Sequence, residues 1–164
     1  MKKLLVILLA ISLQSCLFPF DGGGDDGNPS SYYKPVYMDR DAFEASVSIE
    51  KSNSIDKAGK IYVYQNYLFI NEKNKGFHVY DNTDPANPKA IKYIKTPGAT
   101  DMAIKNDAIY INQARDLIAI KLSADLQSLT ITKRVQNIFP EMLSPDGFNA
   151  YTPEGKVLIN WVPK

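Results

Sequence analysis

Between Ile61 and Val135 the chain writes one apolar pattern twice, 41 residues apart. Ile61 and Val63 fall on Met102 and Ile104, Gln65-Asn66 on Asn106-Asp107, and Ile70-Asn71 on Ile111-Asn112. Phe77 and Val79 fall on Ile118 and Ile120, Asp84 on Asp125, and Ile94 on Val135. The first copy reads as four short strands. Ile61-Tyr62-Val63-Tyr64 and Tyr67-Leu68-Phe69-Ile70-Asn71 flank the turn dipeptide Gln65-Asn66, which is a hairpin signal. Glu72–Gly76 is a second turn, Phe77–Tyr80 a third strand, and Lys89–Ile94 a fourth that Pro97-Gly98 ends. Between the last two strands, Asp81–Pro88 carries aspartates that bond nearby backbone and prolines that preset φ. A four-stranded unit of roughly 40 to 45 residues has the size of a β-propeller blade, and such a unit must stack on a neighbour to bury its apolar faces.

The expected fold is therefore all-β: about two blade-like antiparallel meander sheets plus a C-terminal hairpin. That hairpin would join Phe148–Tyr151 to Val157–Trp161 across Thr152–Lys156. A short helix is predicted over Asp39–Ser46, where an acidic first turn precedes Phe43. The segment 34–54, with Val47 and Ile49 alternating, is expected to cap a sheet edge. Closed propellers need typically four to eight blades, so the ring is incomplete. Its open faces and edges must be covered by the chain ends, by self-association or by a partner protein.

The first 16 residues carry an address. Met1-Lys2-Lys3 precedes an apolar run from Leu4 to Ile11, and Leu13-Gln14-Ser15-Cys16 closes it. A basic start, a short apolar stretch and a small residue before a cleavage point make a secretory signal, and the run is too short for a membrane span of about 20 residues. The Leu-x-Ser-Cys ending resembles a bacterial lipobox. The resemblance implies cleavage before Cys16, which then carries two or three acyl chains, enough for stable anchoring where one chain would hold only marginally. Residues 1–15 are thus read as signal peptide and 16–33 as lipidated cysteine and flexible tether. Asp21–Ser31 holds no hydrophobic residue whose burial would offset its ordering entropy. Its Asp/Gly run lacks the ligand spacing of a calcium loop. Residues 34–164 form the folded domain.

Nineteen Lys and Arg against 18 Asp and Glu leave no basic excess for nucleic acid. His78 is the only histidine, between Phe77 and Val79 in a strand, and no nucleophile motif accompanies it. With one cysteine, Cys16, and one histidine, the usual zinc ligand sets cannot be assembled. No catalytic, cofactor-binding or metal-binding residue is expected. Asp81, Asp84, Asp101 and Asp107 read as turn and strand-end residues. The hint of ligand contact lies in Tyr62 and Tyr64, which share a strand face, and Tyr67 just across the turn, since exposed aromatic stripes on sheets stack on sugars. The competing role is cross-strand packing.

Gly76-Phe77-His78-Val79-Tyr80-Asp81-Asn82-Thr83-Asp84-Pro85-Ala86-Asn87-Pro88 resembles the core of an LVIVD repeat: a glycine, an alternating strand ending in aspartate, then Thr-Asp-Pro and a further proline. The span from Lys34 to Lys164 resembles the LVIVD-repeat, propeller-like lipoproteins of Bacteroidetes. The second copy departs from the motif, with Leu122 for the strand-ending aspartate and Leu126 and Leu129 for the two prolines. The resemblance implies no catalytic residues. The expectation is a non-enzymatic interaction module held by lipid in the cell envelope, on the periplasmic or surface face of the outer membrane. A glycan-binding accessory lipoprotein and a carboxylate-based hydrolase are the alternatives.

Overall fold

In the computed structural model, which describes residues 30–164, the elements run in order β1 (Tyr33–Asp39), α1 (Arg40–Ala45), β2 (Ser48–Lys51), β3 (Ala58–Tyr64), β4 (Tyr67–Glu72), β5 (Gly76–Asp81), β6 (Lys89–Lys95), β7 (Ala99–Lys105), β8 (Ala108–Gln113), β9 (Asp116–Leu122), β10 (Leu129–Val135) and β11 (Lys156–Pro163). Cys16, the signal peptide and the tether as far as Pro29 lie outside the described residues. Three antiparallel sheets result, ordered β2-β6-β5-β4-β3, β10-β9-β8-β7 and β1-β11. The two larger ones are the expected meanders, here called blade 1 and blade 2. The sheets do not close into a ring.

The repeat reaches beyond the apolar positions into the backbone. Strands β3 and β7, and β4 and β8, begin and end 41 residues apart. Gln65 and Asn106, at the head of equivalent turns, both take φ 51°. In β6 the ladder with β5 skips Ile91, and in β10 the ladder with β9 skips Thr132, so both fourth strands bulge at the equivalent place. The first pair of strands in each blade also shifts register at its start. A bulge bends and twists its strand, so two sheets with matched bulges curve alike.

Alternation then decides which side chains meet. Phe69, Phe77, Val79 and Ile94 of blade 1 face Met102, Ile109, Ile111, Ile118 and Ile120 of blade 2, forming the main core. Burying each fully contributes about 1.5–3 kcal/mol. The turns β4–β5 and β8–β9 and the 96–99 connection are knitted by backbone bonds: Asn74 N–H to Ala99 O, Gly98 N–H to Asn74 O and Ala114 N–H to Gly98 O. Beside these turns a second, smaller core of Phe43, Ala114 and Val157 joins α1 and β11 to blade 2.

The helix forms over Arg40–Ala45, within the predicted span, and buries Phe43. The capping segment divides in two. Ser48–Lys51 adds to the outer edge of blade 1 beside β6, with Ile49 opposite Ile94, while Tyr33–Asp39 goes elsewhere. The C-terminal hairpin is corrected: β11 exists, but residues 148–151 are not a strand, and β11 pairs with β1 from Tyr33↔Pro163 to Asp39↔Lys156. The distant partner offers seven paired positions, where the local one offers four residues. Pro35 is tolerated in β1 because that strand has a free edge. Residues 136–155 cross as a loop, held where Tyr37 and Trp161 donate to the Tyr151 and Met142 carbonyls.

Candidate functional site

The three tyrosines face inward at the seam between the blades. Tyr62, Tyr64 and Tyr67 all pack against the main core, Tyr62 edge-on to Phe77 with centroids 6.3 Å apart and Tyr67 beside Phe69. Tyr62 Oη donates to Asp101 Oδ1 at 2.5 Å and Tyr64 Oη to Asp107 Oδ1 at 2.7 Å. Lys60 joins Asp101 as well. Burial, then the bond to Asp101, pushes the Tyr62 hydroxyl up to about 12, so it remains a donor at neutral pH. Burial works against the Asp101 carboxylate, yet bonds from Lys60 and Tyr62 hold it below its ordinary range. Asp101 and Asp107 therefore clamp β7 to β3, a role that strand-end reading did not assign. Asp81 and Asp84 do act in turns, accepting from the backbone N–H groups of Thr83 and Ala86.

On the opposite face of blade 1, paired residues form two rows. Val63, Leu68 and Tyr80 make one, and Ile61, Ile70, His78 and Tyr93 the other. Ile61 and Val63 on the edge strand β3 are 61% and 66% exposed. His78 is buried on this face: its Nε2–H donates to Glu72 Oε2 at 2.7 Å and its ring lies 4.8 Å from that of Tyr93. Lys75 Nζ donates to the other Glu72 oxygen at 2.6 Å. Burial opposes the Glu72 charge, but the bonds from Lys75 and His78 outweigh it and keep the carboxyl low. The histidine's Nε2 is thus bonded within the blade.

A basic cleft lies where α1, the β8–β9 turn and the start of β11 meet. Its volume is about 280 Å³, and Arg40, Arg115, Gln136, Asn137, Gly155, Lys156 and Val157 line it. Beneath it Asp116 is fully buried. Arg40 grips that carboxylate with two bonds of 2.7 and 3.2 Å, Arg134 adds one of 2.8 Å and the Asn137 N–H one of 3.1 Å. Both guanidinium groups lie over the Phe43 ring, 5.5 and 5.4 Å from its centre. No sequence motif announced this arrangement, because its members come from four separate stretches of the chain.

Family models, curated proteins and solved structures contain no match to this chain. Among the described residues no group of three His, Cys, Asp or Glu side chains could hold a metal ion.

Proposed function

We propose that the chain is a lipid-anchored envelope protein resembling the LVIVD-repeat lipoproteins, whose domain is a non-enzymatic interaction module. The observation that carries this reading is the outward face of blade 1. Strand β4 is apolar on both sides from Leu68 to Ile70, as strands covered on both faces are, while β5 adds Tyr80 and the buried His78 to the outer side. One side packs on blade 2, while the other presents Ile61, Val63, Leu68, Ile70 and Tyr80 beside the unpaired edge of β3. The outward face of blade 2 is less apolar, with Tyr110 and Leu117 set among Ala103, Ala119, Lys121 and Thr130. In a ring, a neighbouring sheet would cover the first face, and here a protein partner with an apolar sheet surface takes that place.

A photo-crosslinking residue at position 63 in the membrane-borne protein tests the reading. Adducts to one protein of defined mass at position 63, absent with the same probe at position 121, are expected. Equal or no crosslinking at both positions refutes it. Anchoring is tested separately: a clickable fatty acid should label the native chain and not Cys16→Ser.

A further inference from the structure

We infer that the cleft at Arg115 is a binding site for a small oxyanion, a carboxylate or phosphate group borne by a ligand no larger than a monosaccharide. This does not rest on the docking reading of blade 1, which concerns another face. The charges around the cleft do not cancel. Arg40 is paired with Asp116 and with Glu44 at 3.6 Å, Arg134 with Asp116, and Lys156 with the exposed Asp39 at 2.6 Å. Gln136 is held by Glu44 at 2.7 Å. Arg115 has no carboxylate partner among the described residues, and its Nε is buried with no hydrogen bond. A buried N–H of a cation left unpaired is costly, and a turn of the side chain that brings it to a ligand oxygen in the cleft recovers that cost.

The surroundings suit such a ligand. The Arg115 carbonyl accepts from Phe139 N–H at 3.0 Å, which fixes the backbone that carries the guanidinium. No carboxylate is among the residues lining the cleft, while Lys156 can turn from an exposed aspartate toward an incoming anion. The Nε–H and one terminal N–H of an arginine present two parallel donors, which match the two oxygens of a carboxylate or phosphate. At about 280 Å³ the space falls just below the roughly 300–1,000 Å³ of drug-sized sites, so the ligand is small.

Calorimetric titration of the full-length protein with sodium phosphate, with glucuronate and with glucose tests this inference. At least one anion should bind saturably with Kd below about 10 mM, and glucose should not. Stronger binding of glucuronate assigns a carboxylate ligand, and stronger binding of phosphate a phosphorylated one. Arg115→Gln should weaken the preferred anion about tenfold or more, and Arg115→Lys, which keeps charge but loses the paired donors, by less. Melting temperature tells a folding defect from a binding one; should Arg115→Gln unfold, Lys156→Gln provides the comparison, with weakening expected. Binding of neither anion, glucose binding as well as glucuronate, or native-like affinity in Arg115→Gln and Lys156→Gln would overturn it.

Discussion

Gly76 begins β5 with φ at 154°, and a β-carbon built there would stand 2.1 Å from the Ile94 carbonyl oxygen. The glycine that opens β5 is therefore required by the neighbouring strand's backbone. Gly76→Ala should destabilise the fold by about 2–4 kcal/mol, since that oxygen belongs to a hydrogen-bonded ladder and cannot move freely. Gly147, at φ 89° with open space around it, supplies the contrast: alanine there costs about 1–2 kcal/mol through φ alone. Urea unfolding of both variants measures the difference. Asp146 makes a second residue-level prediction. Its carboxylate accepts from the Ser31 hydroxyl at 2.8 Å, the Tyr32 N–H at 2.7 Å and the Ser144 hydroxyl at 2.5 Å. Burial raises its affinity for a proton, but those bonds prevail and hold its pKa down to about 2. A depressed carboxylate contributes stability that is complete above its unfolded value near 4 and is lost as pH falls toward 2. The protection factors of the Tyr32 and Tyr33 amides, taken relative to the intrinsic rate at each pH, should therefore fall between about pH 4 and pH 2, and Asp146→Asn should show the reduced protection already at pH 6.

Helix α1 has only six residues, too short to persist without tertiary support. Its stability comes from Phe43, which is fully buried against Ala114 and Val157 and capped by two guanidinium groups. Phe43→Ala should cost about 3–5 kcal/mol in unfolding free energy. It should also loosen the Asp116 cluster, visible as faster exchange of the Asn137 amide that bonds Asp116. Element boundaries in the blades were legible because each hairpin turn is a polar dipeptide between apolar strands, and left-handed backbone falls there, at Gln65, Asn106 and Asp107 with φ between 51° and 59°. The partner of β11 was not legible. Val157–Trp161 reads as a strand by its own composition, but pairing with Tyr33–Asp39 over more than a hundred residues leaves no local signal.

At the scale of the molecule, the two blades are joined by a seam that is apolar in the middle and polar at its rim. Tyr62 with Asp101, and Tyr64 with Asp107, close that rim. A double-mutant cycle on Tyr62→Phe and Asp101→Asn should return a coupling of about 0.5–1.5 kcal/mol, because the two groups are direct partners across the seam. Zero coupling would mean that the apolar contacts alone set the packing. The tyrosine stripe was visible from its spacing, yet strand alternation does not say which of the two faces meets another sheet.

What the chain's own order of residues determined is the repeat. The 41-residue period, the turn dipeptides and the alternation within each strand are local properties, and they settle an all-β pair of similar meanders wherever those sheets end up. What only tertiary structure decided is which faces and ends meet. It turned Tyr62, Tyr64 and Tyr67 into the seam, brought β1 to β11, and gathered Arg40, Arg115, Asp116, Arg134 and Lys156 around one cleft. Those choices depend on summed burial and charge pairing between segments far apart in sequence, and such sums exist only once the chain has closed on itself.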